Sequence, residues 1–404
     1  MRILRSIRSV NPAVGGPVES VTQSSRALVA RGHTVEVISL DAPDDPWVQN
    51  AAVSVHALGP CSGTYGYAKR FVPWIKERRA EYDAVIVHGL WQYNSFGVWR
   101  GLHAGPTPYY VFPHGMLDPW FKRTYPLKHL KKLLYWPWAD YRVLRDAKAV
   151  FFTSEEERRL ARKSFALYRC NETVVNYGTS APAVDLTKAR AEFLGAFPTL
   201  RGKRVLLFLS RLHEKKGCDL LIEAFAHVSR THPNDELQLV LAGPPASEDY
   251  RRHLHQLTAK TFGDDVAKAP VTFCGMLTGD LKWGAFAAAD AFILPSHQEN
   301  FGISVVEALA TGLPVLISNC VNIWREIAAD RAGLVENDNV SGATRLMERW
   351  LSLSADERAA MRARAKECFR NRFEIDRATE SLLAVLQSAD ARKATRANRI
   401  TVSR

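Results

Sequence analysis

Short β-branched runs alternate with longer amphipathic runs along most of the chain, in two series separated by one pause. Such alternation marks parallel strands joined by crossover helices, because parallel neighbours cannot be linked by a tight turn. In the first series VEVISL (35–40), AVIVHG (84–89), YYVFPHG (109–115) and AVFFTS (149–154) read as strands, with helices such as 17–31 and 93–103 between them. The opening, MRILRSIRSVNP, reads as a further strand at Arg2–Ile7 rather than a secretory leader, since Arg5 and Arg8 interrupt any apolar core. The pause falls at 178–203, a stretch of mixed composition containing Pro182 and Pro198. The second series runs RVLLFLS (204–210), LQLVLAG (237–243), VTFCG (271–275), AFILPS (291–296), PVLIS (314–318) and AGLVE (332–336). Each of these but the last precedes an expected helix, at 219–230, 248–262, 280–289, 302–311 or 322–329.

The fold class expected is α/β, with two Rossmann-like domains whose parallel sheets face each other across a cleft. Ligands in such sheets bind beyond the carboxyl ends of the strands. A chain of 404 residues is also too long for one ordinary core. The expected divisions are a first domain at 1–178, a linker at 179–203 and a second domain at 204–370. After these come a helix at 371–389, able to return to the first domain, and a disordered basic tail at 390–404.

Composition narrows the class. Hydrophobic residues make up 47% and charged residues 24%, as in globular proteins, and no apolar run is long enough to span a membrane. The six cysteines are scattered without a CxxC pair, which fits neither a zinc site nor a disulfide framework and points to a reducing cytoplasm. A net charge of +12 favours anionic partners, whether nucleotides, nucleic acid or an acidic membrane surface, without choosing among them.

Chemistry concentrates in SHQENFGISVVEALATGLPV (296–315), a mostly apolar run that nevertheless holds Glu299 and Glu307. An unpaired carboxylate is costly to bury. AFILPS ends as a strand, HQENFG forms the loop, and the helix begins near Gly302, so the amides of Phe301, Gly302, Ile303 and Ser304 make an anion site. Gly302 lets a ligand approach the backbone. Carboxylates beside an anion site suit a ligand with both phosphate and vicinal hydroxyls, a nucleotide sugar. Glu299 would accept from the sugar hydroxyls and Glu307 from the ribose, each bond worth ~1.5–3 kcal/mol. In the absence of such a ligand, Glu299 reads as a solvated loop charge and Glu307 as a capped helix residue.

A second element, FLSRLHEKKGCDLLIEAF (208–225), puts Arg211 and Lys216 in a strand-to-helix loop on the same sheet edge. Two cations there can neutralise a departing diphosphate in place of a metal, while Lys215 reads as solvated. DAPDDP (41–46) and GDD (263–265) resemble acidic metal clusters but sit in turn-like contexts and read as loops. No metal and no cofactor beyond the donor substrate is expected.

Arg211, Lys216-Gly217, FCGML (273–277) and the two-glutamate element together resemble glycosyltransferase family 4, retaining enzymes of the GT-B fold. NPAVGGPVESV (11–21) and FPHGMLDPW (112–120) resemble a branch of it that assembles bacterial polysaccharides. The resemblance implies that Glu299, with the amides of Asn300, Phe301 and Gly302 and the adjoining Ile303, holds the donor sugar. It assigns Arg211 and Lys216 to the diphosphate, Glu307 to the ribose and the backbone near Met276 and Leu277 to the base. Gly15 and Gly16 would close onto the phosphate and acceptor, and His114 would contact the sugar and support positive charge near its anomeric carbon. Read from its neighbours alone, His114 follows the strand YYVFP and faces the cleft, a position where a lone histidine is more often structural. Trp91 and Asp118 are expected on the acceptor side. The implied reaction is retaining and metal-independent. Front-face attack, with the leaving phosphate taking the acceptor's proton, would leave no nucleophile or base pair visible. The implied partners are a UDP- or GDP-linked sugar and a glycan or lipid-linked acceptor in exopolysaccharide, capsule or O-antigen assembly; nucleic acid is not expected. One departure is VVNYGTS (174–180), where members often carry Pro-Asn-Gly; here Asn176 and Gly178 surround an extra Tyr177.

Residues 120–145, WFKRTYPLKHLKKLLYWPWADYRVLR, interleave lysines with aromatics. They read either as a basic amphipathic helix for the inner leaflet of the cytoplasmic membrane or as an ordinary helix whose tryptophans pack in the core. Two other functions stay in view. A nicotinamide oxidoreductase is disfavoured because the first strand leads into SVNPAVGGP, not GxGxxG. A catalytically inactive glycan- or nucleic-acid-binding module of the same fold is the alternative from another class.

Overall fold

The computed structural model describes residues 1–263 and 269–402 and divides into two compact units. One comprises residues 1–179 with the chain from 374 onward; the other comprises residues 180–373. Seven strands form the first unit's sheet: β1 (Arg2–Ser6), β2 (Thr34–Ser39), β3 (Ser54–Ala57), β4 (Ala84–His88), β5 (Tyr109–Phe112), β6 (Ala149–Phe152) and β7 (Glu172–Val174). All pairs are parallel, in the order β3-β2-β1-β4-β5-β6-β7. The second unit has a six-stranded sheet of β8 (Arg204–Leu209), β9 (Leu237–Ala242), β10 (Val271–Gly275), β11 (Ala291–Leu294), β12 (Val315–Ser318) and β13 (Gly333–Glu336). It is also wholly parallel, in the order β10-β9-β8-β11-β12-β13. These are the two Rossmann-like domains expected.

Central strands such as Val85-Ile86-Val87 and Phe292-Ile293-Leu294 are fully buried, and for that reason they stand out as continuous apolar runs. The two strands the sequence did not reveal, β3 and β7, are sheet edges with part-exposed side chains (SVHA and ETV), so neither carries such a run.

Helices follow the expected positions closely, with four differences. Within 179–203 the segment Leu186–Ala196 is a helix of the second unit, not a connection. The Asp185 carboxylate caps it by accepting from the amides of Thr187 and Lys188, and Gly284 on the helix Gly279–Ala288 lets the two backbones meet. The last strand, β13, does lead into a helix, Val340–Ser352, which buries Leu346, Met347 and Trp350. The run at 373–389 forms a helix of the first unit, burying Leu382, Leu383 and Leu386, and its backbone continues from Ile375 to Val402. From 390 to 402 the basic tail is thus helical rather than disordered, in keeping with the helix propensity of its alanines and arginines. Finally, 120–145 is not one helix but three: Trp120–Thr124, Pro126–Tyr135 and Asp140–Arg145, with Pro126 beginning the second.

Glu36 on β2 ties the near end of the first sheet together. It accepts from Arg2 Nη2 at 2.7 Å, His56 Nε2 at 2.7 Å and the Tyr82 hydroxyl at 2.8 Å, joining β1, β3 and the approach to β4. Burial alone would raise its pKa, but the bonds from His56, Tyr82 and Arg2 outweigh that and hold it at about 2, below the usual 4.5. Because the folded-state value lies below the unfolded one, this stabilisation is complete above the ordinary carboxylate range and fades as pH falls toward 2. Glu36→Gln is expected to cost about 1–3 kcal/mol at neutral pH. Urea titrations should show that deficit shrinking as the pH falls below about 4.

Candidate active site

In the second sheet the strand order reverses between β8 and β11, so the helices that follow them leave in opposite directions and open a crevice at the carboxyl edge. The loops after these two strands carry the expected residues. After β8 the chain makes a short turn at Glu214–Lys216, capped by His213, then passes through Gly217 into the helix Cys218–Thr231. Gly217 has φ +67°, and a Cβ there would stand 2.6 Å from the carbonyl oxygen of Pro295 in the loop after β11. The His297 amide donates to the Lys215 carbonyl at 2.9 Å, so the two loops are joined backbone to backbone. On its other side the loop after β11 is held by the segment after β12. The Glu299 amide donates to the Cys320 carbonyl at 3.0 Å, and the Asn322 amide to the Glu299 carbonyl at 2.9 Å.

This framework aims Glu299 at Lys216. Their carboxylate and ammonium form a direct ion pair, and the Glu299 Oε1 also accepts from the Asn300 amide at 3.1 Å. Burial would raise the Glu299 pKa; the charges of Lys216 and Lys215 with these hydrogen bonds hold it below the usual carboxylate range, so it is ionised. Gly302, at φ +72°, opens the helix Ile303–Thr311. The amides of Gly302, Ile303 and Ser304 have no protein acceptor among the described residues. Arg211 is exposed, with no side-chain hydrogen bond or ion pair among those residues. Phe301 is buried edge-on against Phe373. Beyond β10, Met276 is 69% exposed while Leu277 is buried.

Glu307, in the second turn of its helix, is buried and accepts from Lys282 Nζ at 2.7 Å. Both glutamates therefore have a lysine each. Sequence reasoning missed Lys282 because it is a single cation in the first turn of a helix, at no diagnostic spacing from Glu307.

The first sheet reverses its order between β1 and β4. Gly15 and Gly16 follow β1, at the start of the helix Gly16–Ala30, and Gly15 has φ +92°. Asp41, from DAPDDP, is buried and accepts from the Ser9 hydroxyl and the Val10 amide, so it holds this loop. The other acidic turn, GDD, has Asp264 and Asp265 outside the described residues. After β5, His114 sits at φ +51°, stacked on Phe112 and edge-on to Tyr177, the extra residue of VVNYGTS. Trp91 and Asp118 serve packing and turn geometry. The Trp91 indole donates to the Met116 carbonyl and packs on Trp136 and Phe165, while Asp118 accepts from the Trp120 amide.

Gly217→Ala should be more damaging than its size implies, because left-handed backbone and the Pro295 carbonyl oppose the methyl together. A loss of about 1–3 kcal/mol in chemical denaturation is expected.

Two family models match the chain, one to each sheet. Residues 15–178 match "Glycosyl transferase 4-like domain" and residues 192–368 match "Glycosyl transferases group 1". Mannosylfructose-phosphate synthase of Agrobacterium fabrum is 26% identical over 351 residues, covering 79% of this chain and 74% of that protein. D-inositol 3-phosphate glycosyltransferase of Segniliparus rotundus is 29% identical over 222 residues, 53% of this chain and 45% of that protein. Among solved structures, Anabaena HepE in complex with UDP and glucose superposes with a TM-score of 0.74 at 17% identity, over 96% of this chain and all of that one. With a matching model on each of its two Rossmann-like units, this chain belongs to the family 4 glycosyltransferases of the GT-B fold.

Proposed function

We propose that this glycosyltransferase moves a hexose from a nucleoside-diphosphate sugar to a glycan or lipid-linked glycan, with retention and without a metal ion. The observation that carries the reading is the pairing of opposites after β11. Three amides without acceptors among the described residues, at Gly302, Ile303 and Ser304, lie beside a carboxylate that Lys216 keeps ionised. Donors and acceptor so placed call for a ligand with anionic oxygens and hydroxyls close together, as a diphosphate sugar has. HepE, a fold neighbour, is described in complex with UDP and glucose, which supports a UDP-linked donor; a GDP-linked one fits the same groups.

In this reading Glu299 accepts from the sugar hydroxyls, and Arg211 and Lys216 neutralise the diphosphate. Lys216 has three N–H donors, enough to keep Glu299 and reach a phosphate oxygen as well. Glu307 accepts from the ribose while held by Lys282, and the backbone at Met276 and Leu277 meets the base. The roles expected of Gly15, Gly16 and His114 belong to the first unit: backbone approach to phosphate, and a contact to the sugar. The acceptor hydroxyl forms its bond to the anomeric carbon on the face from which the phosphate leaves, and the departing phosphate oxygen takes the hydroxyl proton.

The acceptor proposed is one in exopolysaccharide, capsule or O-antigen assembly, reached by peripheral binding to an anionic membrane. No described helix is long and apolar enough to cross a membrane. The helix Pro126–Tyr135, however, has no buried residue. Leu127 is 79% exposed and Leu134 73%, with Leu130 and Leu133 on the same side and Trp138 just beyond. Lys122, Arg123, Lys128 and Lys131 are exposed around them. Trp136, by contrast, is buried in the core, so the stretch divides between the two roles open to it. An apolar face bordered by lysines suits anionic lipid, each cation near the surface adding about 1 kcal/mol.

Nucleoside-diphosphate release from a panel of UDP-, GDP- and ADP-sugars tests the reaction. One donor should be turned over, and Glu299→Ala should lower turnover by about 10²–10³-fold. No release from any donor, with membrane extract as acceptor, would favour the inactive binding module instead. Flotation with anionic vesicles tests the surface. Binding should weaken with salt and be lost in Leu127→Ser/Leu134→Ser, whereas absence of binding at low salt removes the membrane from the proposal.

A further inference from the structure

Deep in the first unit lies a guanidinium with no carboxylate beside it among the described residues. Arg5, on β1 between β2 and β4, is 1% exposed. A central position in a covered parallel sheet ordinarily takes an aliphatic residue, and burying a cation there without a counter-charge is costly. Its Nη1 donates to the Val21 carbonyl at 3.3 Å, the Ser24 hydroxyl at 2.6 Å and the Ser25 hydroxyl at 3.1 Å. Its Nε donates to Nε2 of His88, the last residue of β4, at 3.2 Å. The other nitrogen of His88, Nδ1, lies 2.9 Å from Nε2 of His114. His114 Nδ1 has no partner among the described residues, and its ring is the part-exposed end of the series.

The chain of three has only one polarity open to it. A guanidinium can donate but never accept, so His88 Nε2 must be a lone pair. Burial, then the charge of Arg5, pushes the His88 pKa well below its ordinary value, so the ring is neutral and its one proton is on Nδ1. That proton is donated to His114 Nε2, which must in turn be a lone pair. Burial and Arg5 likewise keep His114 neutral, at about 3. Its own proton is thereby on Nδ1, at the open end. Arg5 itself is lowered by burial only to about 10 and stays charged at neutral pH.

We propose that Arg5 and His88 are positioning residues whose hydrogen-bond polarity fixes His114 as the Nδ1–H tautomer, so that it meets its substrate as a hydrogen-bond donor. This rests on the reading above that His114 touches the transferred sugar. It refines that role: the edge offered to the ligand is an N–H, suited to a hydroxyl or phosphate oxygen, and the ring's lone pair is turned inward. Stacking on Phe112, the edge-on contact with Tyr177 and the left-handed backbone at His114 hold the ring in register with His88.

Histidine-selective 15N labelling with two-bond proton–nitrogen correlation reads the tautomers directly in the whole protein, with His88→Gln and His114→Ala assigning the signals. Both rings are expected as Nδ1–H. His88→Leu breaks the series and should let His114 shift toward Nε2–H, with kcat lowered about 10- to 100-fold. His88→Gln is the conservative control: its amide oxygen can accept from Arg5 and its nitrogen can donate to His114, so the tautomer and most of kcat should return. This pair carries the test even if Arg5→Met fails to fold. An Nε2–H His114 in the unaltered protein, or a tautomer indifferent to His88→Leu, overturns the proposal. So does a tautomer that shifts while kcat does not. If the tautomers are as stated but no nucleotide sugar is turned over, the reaction reading fails separately, and the relay's assignment to that reaction falls with it.

Discussion

Parallel strands force every connection to cross over, and that constraint places all carboxyl ends of a sheet on one edge. Where the order reverses, at β1/β4 and β8/β11, the crossing helices part and the loops lose their lateral neighbours. Such loops must be stabilised by one another. In the second unit this is done by backbone bonds, from His297 to Lys215 and between Glu299 and the Cys320–Asn322 segment. The side chains of the site inherit their positions from these bonds, which is why residues 83 positions apart in sequence, Lys216 and Glu299, can be paired at all.

Such a pair is a poor source of net stability, because removing both charges from water offsets much of their attraction. Its value lies in what it fixes. The carboxylate stays ionised at neutral pH, the ammonium has donors to spare, and both are set beside a helix start whose first amides have no acceptor among the described residues. Glu307 and Lys282 repeat the arrangement nearby, with the cation supplied by the helix Gly279–Ala288. Each glutamate is thus compatible with a folded interior on its own terms, and a hydroxylated ligand adds hydrogen bonds to a group that is already charged.

The sequence made the central strands legible because covered parallel strands must be apolar throughout, as Val85-Ile86-Val87 are. It concealed β3 and β7 because SVHA and ETV are short and part-exposed and carry no apolar run. The helix Leu186–Ala196 was hidden among prolines, its cap at Asp185 being the one local sign. Glu299, Lys216, Arg211 and the Gly302 turn could be found because their chemistry is local to loops after strong strands. Lys282 and the series from Arg5 through His88 could not. Their partners are set by register between strands and by which ring edge faces which, and neither leaves a periodic trace. Arg5 was even counted as an interruption of an apolar run, when it is one of the most buried side chains in the protein.

The course of the chain through the two units has a consequence for how the protein is made. The first unit is left at Thr179 and re-entered at Glu374, and these two residues bridge one another, with the Ile375 amide donating to the Thr179 carbonyl. The second unit is therefore an insertion whose ends are clasped together, and it is the one made of a single continuous segment. The helix beginning at Ile375 then supplies Ala378, Leu382 and Leu386 to a core whose other members were synthesised long before. During synthesis, the earlier-made part of the protein must wait with an apolar face uncovered while the later-made part can already close. Completion of the first unit's core thus waits on residues made last, and the waiting half is the one that holds His114.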